Sequence, residues 1–326
     1  MQPARAVPRS HRPAFDNTGR PIYCYGEKNV GRAGRDRIRM LDTNRLAVPA
    51  LLRDKQHTEP SVFRPEHLLR EARRQKALPD RDVPSVCVLD PDGDLFRFAR
   101  QSGRARLSPG WACYHTELYE LPLADGTVIG ILGNAVGAPF AVLVAEQLFA
   151  SGCRFLISLT SSGRIADLGA PPYVVLIDRA LRDEGTSFHY LPAGIGDFIA
   201  APDPALLARV ETAVRAMFPR GCGTAVHRGA IWTTDAPYRE TASAIAAAAE
   251  RGVLAVEMEA SALYAFASAR ARPVVCFAHV TNTMGQHDGD DFEKGEAEGT
   301  ITALRLIAAA ASAFLAPETG PMETAS

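Results

Sequence analysis

The sequence lacks several features, and each absence argues against one class of protein. Its net charge is only −1, and its six cysteines are scattered without a CxxC pair. No apolar run approaches the length of a membrane-spanning helix, and the N-terminus has no signal-peptide core. These absences argue against a disulfide framework, a zinc site, a membrane partner and a nucleic-acid partner. The cysteines are typical of reduced core residues, so we expect a cytoplasmic protein.

The remaining composition is that of an ordinary globular protein, with 47% hydrophobic and 22% charged residues. From residue 83 onward, continuous apolar runs alternate with amphipathic stretches. This alternation predicts an α/β fold, a single domain with a mixed, mainly parallel central sheet flanked by helices. We predict strands at 85–89, 128–132, 155–159, 173–177, 230–234 and 274–280. The predicted helices are 65–76, 138–150, 204–218, 239–251, 259–270 and 296–315.

The first 60 residues differ from the rest of the chain. They are rich in arginine, proline and glycine, and no apolar period lasts two helical turns. Residues 1–60 are therefore predicted to form an irregular N-terminal arm, partly disordered or lying on a neighbouring subunit. The arm has no basic run interleaved with aromatic residues, so nucleic acid is not the expected partner. The folded domain is predicted at 61–316, and a C-terminal tail at 317–326.

The most informative segment begins at Val256, where Glu257, Met258 and Glu259 join an apolar run to a small-residue-rich helix. Acidic residues at a helix start interact well with the helix dipole, so a capped amphipathic helix is one interpretation. Two residues apart, the two glutamates cannot share a helix face, and we expect at most one to point inward. A buried carboxylate needs hydrogen-bond donors, which a sugar diol supplies.

Further segments support the interpretation that a buried glutamate binds a sugar, because they follow one another in the order found in a known family. Residues 93–97 read Gly-Asp-Leu-Phe-Arg, residues 133–140 form a glycine-rich turn before a helix, and 158–163 are rich in Ser and Thr. Segments 183–190 and 233–239 follow. Together with the glutamate segment, they resemble the nucleoside phosphorylase superfamily over roughly residues 83–315. Members of that superfamily cleave the N-glycosidic bonds of purine and pyrimidine nucleosides.

The resemblance implies a role for particular residues. Met258 would pack on the ribose, and Glu259 would bind its 2′ and 3′ hydroxyls. Phosphate would be held by Gly93, Arg97 and Ser161, although 91–94 is also a good turn sequence and Ser161 could simply be a small residue at a strand end. The base would be bound by Thr234, Asp235, Tyr238, Arg239 and Asn282. The catalytic residues would be Glu259, Arg97 and Asn282.

The sequence departs from the family at the phosphate site. Leu95 replaces a proline, Ser158 stands where a second phosphate-binding arginine is expected, and 114–120 lacks the third. A hydrogen bond to a charged group contributes roughly 1.5–3 kcal/mol, so two losses would weaken phosphate binding by about 10²-fold or more. His115 could compensate in part, or be structural. Water is therefore a serious alternative nucleophile.

Other assignments within the family pattern stay open. Asn282 stands where many purine-specific members carry an acid, and its amide could bridge a carbonyl and a ring N–H, which favours an oxo-base; a loop-capping role is equally compatible. The segment 235–238 is also a helix cap and turn. His189 and His67 are candidates for binding the 5′-hydroxyl.

No metal or organic cofactor is predicted, only inorganic phosphate as a co-substrate. Gly133 and Gly137 lack the third glycine and the following acid of a dinucleotide site, and 290–295 lacks calcium-loop spacing. By resemblance we expect a homo-oligomer, a dimer, trimer or hexamer. The predicted reaction is phosphorolysis of a nucleoside to free base and (deoxy)ribose 1-phosphate. The alternatives are hydrolysis of the same bond and nucleoside binding without turnover.

Overall fold

The computed structural model describes residues 14–15, 21–22, 49–53, 55–221, 223–283 and 294–316. The chain divides into two units, Met1–Ala47 and Val48–Ser326. In the first, strand β1 (Ala14–Phe15) pairs antiparallel with β2 (Pro21–Ile22). The division falls before the boundary predicted at residue 60, while the first dozen residues and the tail at 317–326 lie outside the described residues.

One ten-stranded sheet dominates the second unit. Its strands are β3 (Val86–Asp90), β4 (Arg106–Leu107), β5 (Leu118–Pro122), β6 (Val128–Gly133), β7 (Phe155–Arg164), β8 (Tyr173–Asp183), β9 (Phe198–Ala200), β10 (Val226–Thr234), β11 (Val253–Glu257) and β12 (Val274–Asn282). Their order in the sheet is β11-β10-β8-β12-β7-β3-β6-β5-β4, with β9 added to β8. Strand β11 pairs with both β10 and β7, so β7, β12, β8, β10 and β11 close into a ring.

The sheet is mixed, as predicted. Its longest ladders, between β8 and β10 and between β7 and β12, are parallel, and so are those joining β3 to β6 and β7. Shorter antiparallel ladders join β11 to β7, β12 to β8, and β5 to β6. The predicted α/β domain with a helix-flanked sheet is confirmed. The continuous apolar runs of β3 and β12 explain why these strands are buried on both faces.

The helices are α1 (Pro65–Lys76), α2 (Asp94–Gln101), α3 (Ala138–Ala150), α4 (Ser187–Tyr190), α5 (Pro204–Met217), α6 (Ala242–Glu250), α7 (Ala260–Arg270) and α8 (Thr300–Leu315). The predicted bounds of α1 and α3 coincide with those observed. Helix α6 begins three residues after its predicted start at 239, because Pro237–Arg239 forms a separate 3-10 turn and Thr241 caps the helix by accepting from Ala244 N at 3.3 Å. Another 3-10 turn, Glu296–Gly299, likewise precedes α8.

Two helices differ from expectation. Residues 94–101, where no helix was predicted, form helix α2, which the buried Asp90 carboxylate stabilises by accepting from Phe96 N at 2.9 Å. Helix α7 is not amphipathic, since each residue from 260 to 267 is buried. Its low polarity therefore reflects burial against α3, α4 and strand β8, and the residues at its N-terminus are buried.

The cysteines behave as predicted where the structure describes them. Cys87, Cys113, Cys153 and Cys276 are buried free thiols, whereas Cys24 and Cys222 lie outside the described residues. Among the described helices, none is long and apolar enough to cross a membrane.

Candidate active site

The sheet brings the sequence motifs together at the ends of four strands. Strand β12 runs parallel to β7 and places His279 beside Ser161, while β3 runs parallel to β7 on its other side. Strand β11 approaches β7 from the opposite direction and pairs Val256 with Gly163. The segments that follow β3 and β11 therefore meet the end of β7, and this junction contains the predicted phosphate and ribose residues.

Glu257 is a structural residue of this junction. Its Oε2 accepts from the N–H groups of Glu259 and Ala260, both at 2.8 Å, and its Oε1 accepts from the Thr233 hydroxyl. These bonds cap the buried start of α7. The expectation that at most one glutamate points inward was wrong, because both are buried. Glu257 ends a strand and Glu259 precedes the helix, so helix-face spacing does not apply to the pair.

Glu259 has a different set of contacts. Its Oε1 accepts from Gly137 N at 2.6 Å, and its Oε2 is buried without a partner among the described residues. Gly137 adopts φ 90° just before α3, a conformation suited to glycine. The Glu259 residue is only 1% exposed, and Met258 beside it is half-buried. A buried acceptor without a donor costs about 1–3 kcal/mol, so the free oxygen is suited to a ligand that supplies donors.

Burial also controls the ionisation of the pair. It raises the pKa of the Glu259 carboxyl to about 8; the charge of Glu257 adds to this shift, and the Gly137 N–H and the nearby Thr160 hydroxyl oppose it. Burial likewise raises the pKa of Glu257, while Thr233 and the helix N–H groups oppose the shift. Hydroxyl donors directed at the free Glu259 oxygen would favour its ionised form.

The predicted phosphate residues also come together, but each is already engaged. Gly93 N donates to Asp90 O at 3.0 Å, so this N–H closes a turn, which was the alternative interpretation of 91–94. The Arg97 guanidinium pairs with the Asp94 carboxylate. Ser161 N donates to Asp92 Oδ2 at 2.6 Å. Ser158 is buried in β7 and carries no charge.

A small cavity of about 30 Å³ lies at this position. Its polar lining comprises Asp90, Asp92, Asp94, Thr160, Ser161, His279 and Thr300. Burial raises the pKa of Asp90 to about 7, with Asp92 and Asp94 adding to the shift. Burial lowers the pKa of His279, and Lys294 lowers it further. Within the described residues, no group of His, Cys, Asp and Glu has an arrangement that could hold a metal ion.

The predicted base-binding residues are spread over a wider region. Thr234 is buried and accepts from Ala236 N at 3.2 Å, and the exposed Asp235 accepts from Gly185 N at 2.8 Å. Tyr238 is fully exposed, and Arg239 is exposed beside it. Asn282 ends β12 and is half-buried. The contacts of Thr234 and Asp235 are those of a turn, and the base-binding roles remain predictions.

The histidine candidates lie away from these contacts. His189 Nδ1 is 3.1 Å from Lys55 Nζ, and burial followed by the charge of Lys55 lowers its pKa. His189 and His115 line an open groove of about 850 Å³ between residues 51–68 and α3, to which Asp235 also contributes. His67 is exposed on α1. A 5′-hydroxyl role for His189 or His67 remains a prediction.

Sequence reasoning missed several residues of this region. Gly137, Asp92 and Thr233 bind site residues directly. Arg182 and Glu184 join a buried network in which Arg182 Nε donates to Ser187 Oγ at 2.9 Å, and Ser261 Oγ donates to Glu184 at 2.8 Å. Charged side chains at the end of an apolar strand were the available signal for Arg182. Nothing in the sequence pairs Asp92 with Ser161, because their contact spans 69 residues.

The chain is similar in sequence to several known proteins. Two relatives are DeoD-type purine nucleoside phosphorylases, from Roseobacter denitrificans (28% identical over 49% of this chain) and Colwellia psychrerythraea (29% over 44%). The chain spans 65% and 58% of their respective lengths. A third relative is a guanosine phosphorylase from Halorubrum lacusprofundi, 25% identical over 58% of this chain and 78% of the relative.

A solved structure supports the fold independently. The uridine phosphorylase of Vibrio fischeri ES114 superposes with a TM-score of 0.56 at 20% identity, covering 72% of this chain and 91% of that protein. The family model described as the phosphorylase superfamily matches residues 91–316, which include both the Asp92–Ser161 contact and the Glu257–Glu259 segment. The chain therefore belongs to the phosphorylase superfamily.

Proposed function

We propose that this protein cleaves the N-glycosidic bond of a nucleoside. The observation that carries the proposal is the buried Oε2 of Glu259, which has no partner among the described residues while Oε1 is held by Gly137 N. A ribose 2′,3′-diol offers two O–H donors to such a carboxylate. Holding the sugar in this way would position C1′ for loss of the base. Met258, half-buried beside Glu259, would contact the sugar.

Two nucleophiles, phosphate and water, could attack C1′. Phosphorolysis, predicted from the sequence, would place phosphate at Gly93, Arg97 and Ser161 and give (deoxy)ribose 1-phosphate. Hydrolysis would add the oxygen of water to C1′ and give free pentose, with the departing base taking up a proton. The geometry favours hydrolysis, because Asp94 pairs with Arg97 and Asp92 accepts from Ser161 N.

The choice of substrate is inferred from the relatives and from Asn282. The named relatives act on purine nucleosides and guanosine, and the Asn282 amide suits an oxo-base. Inosine and guanosine are therefore the first nucleosides to test. We also propose that the protein is a homo-oligomer, which size-exclusion chromatography with light scattering would detect.

The test is base release from uridine, thymidine, inosine, guanosine, adenosine and methylthioadenosine, with and without phosphate. Free pentose formed at equal rates in both buffers supports hydrolysis, and pentose 1-phosphate formed only with phosphate supports phosphorolysis. No release from any nucleoside would refute cleavage of these substrates. A rise in melting temperature with a nucleoside but without turnover would instead indicate a binding protein.

A further inference from the structure

The contact between Asp92 and Ser161 places a negative charge at the predicted phosphate site. Asp92 Oδ2 accepts from Ser161 N at 2.6 Å, although the two residues are 69 positions apart. By resemblance, Ser161 is the residue that would contact phosphate. The Asp92 carboxylate thus takes up the Ser161 N–H and places a negative charge beside the Ser161 hydroxyl, which by resemblance would contact phosphate.

The neighbouring carboxyl groups add to this effect. Asp90 and Asp94 line the same small cavity as Asp92. The two cations nearest in the network, Arg97 and Lys294, both pair with Asp94. Like charges within about 4 Å of one another repel strongly at the partly buried edge of a protein. An incoming phosphate would therefore meet carboxylates and engaged cations.

The available space also matters. The cavity of about 30 Å³ has room on the scale of one or two water molecules. A phosphate bound here would lie against the carboxylates of the lining. Water carries no charge, and it can donate to those carboxylates.

We propose that Asp92 is the specificity-determining residue for the nucleophile, because its carboxylate on Ser161 N excludes phosphate and leaves the position to water. This inference rests on the proposed cleavage of an N-glycosidic bond, whose nucleophile it specifies. The inference concerns phosphate binding, however, and phosphate binding can be measured without turnover.

The test is titration of the protein with inorganic phosphate by isothermal calorimetry, at constant ionic strength maintained with chloride. Asp92→Asn keeps an oxygen acceptor for Ser161 N and removes the charge. We expect no saturable phosphate binding by the wild-type protein and a gain in affinity of at least about tenfold in Asp92→Asn. The nucleoside assay with Asp92→Asn should then show base release that increases with phosphate.

The matched control is Asp125→Asn. Asp125 lies in the exposed turn between β5 and β6, and its Oδ1 accepts from Thr127 N at 2.9 Å. The variant therefore also replaces a carboxylate that accepts from a backbone N–H by a neutral amide, but outside the site. Phosphate binding by Asp125→Asn should match that of the wild-type protein. An equal gain in both variants would overturn the proposal, because it would show an effect of net charge alone.

The wild-type titration can overturn the inference by itself, even if Asp92→Asn does not fold. Saturable phosphate binding by the wild-type protein overturns the inference, and its absence supports it. Failure of the proposed function has a different signature: the nucleoside panel gives no base release in any buffer, while the phosphate titrations of wild-type and variant proteins still report on Asp92.

Discussion

Gly137 N donates to Glu259 Oε1 at 2.6 Å and thereby links two motifs that are 122 residues apart. This bond orients the carboxylate and leaves its second oxygen for another donor. Because Gly137 immediately precedes α3, the donor belongs to the start of a helix, where N–H groups lack partners within the helix. The relationship explains how a buried acid can be held in place without being fully satisfied.

Glu259→Gln tests the role of that second oxygen. The amide can still accept from Gly137 N, but it loses the charged acceptor for two sugar hydroxyls. Hydrogen bonds to a charged group contribute about 1.5–3 kcal/mol each, so kcat/KM for inosine should fall by about 10²-fold or more. The preference for ribose over 2′-deoxyribose should shrink with it.

The control for Glu259→Gln is Glu250→Gln, which makes the same change at the exposed end of α6. Its cleavage rate should equal that of the wild-type protein. Undiminished cleavage by Glu259→Gln would disprove the ribose-binding role.

The raised pKa of Glu259 predicts a pH effect on stability. A carboxyl whose pKa rises from 4.5 to about 8 on folding retains its proton more tightly in the folded protein. Its contribution to the free energy of unfolding is present below pH 4.5 and is lost as the pH rises through 8. Since Glu259→Gln cannot titrate, the variant should become more stable relative to wild type over this range.

Urea unfolding of both proteins at about pH 5.5 and about pH 8.5 measures that difference. The histidines with lowered pKa values, His189, His227 and His279, are present in both proteins, so their titration largely cancels in the comparison. A stability difference that does not change with pH would show that the Glu259 pKa is not raised.

Thr233→Val tests the cap of α7. The Thr233 hydroxyl donates to Glu257 and accepts from Ser261 N at 3.0 Å, and valine has a similar shape but neither function. Leaving these buried groups without a partner should lower the free energy of unfolding by about 1–3 kcal/mol. Thr212→Val on the exposed face of α5 is the matched control and should change stability by less than about 0.5 kcal/mol. Equal effects of both variants in urea unfolding would contradict the capping role.

Arg182→Lys tests the network beside α4. The buried guanidinium donates to Pro192 O at 2.9 Å and Leu191 O at 2.8 Å, and its centre is 3.9 Å from the Phe188 ring. A lysine ammonium cannot reproduce this planar set of contacts, so we expect a loss of about 2–4 kcal/mol in the free energy of unfolding.

Arg251→Lys is the comparison for Arg182→Lys. Arg251 also lies over an aromatic ring, that of Phe198, but it is exposed and pairs with Asp197 at 2.8 Å. Replacing it should cost less than about 1 kcal/mol. If thermal unfolding shows similar losses for both variants, burial of Arg182 does not determine its contribution.

The sequence by itself determined the family, most element positions and the presence of a buried carboxylate in the segment from Glu257 to Glu259. Helix α3 was predicted at 138–150 because apolar periodicity is a local property that survives folding unchanged. Strands β3 and β12 were predicted from continuous apolar runs, which are also a local property of the sequence. The burial of four cysteines also followed from their apolar neighbours.

The tertiary structure alone decided which groups meet. The burial of both glutamates depends on the pairing of β11 with both β10 and β7, which helix-face spacing does not describe. The contacts of Asp92 with Ser161, and of Gly137 with Glu259, depend on how strands far apart in the chain pair in the sheet. Hydrogen bonds act over about 3 Å, so a chemical role that rests on them is set only when long-range packing brings the partners together.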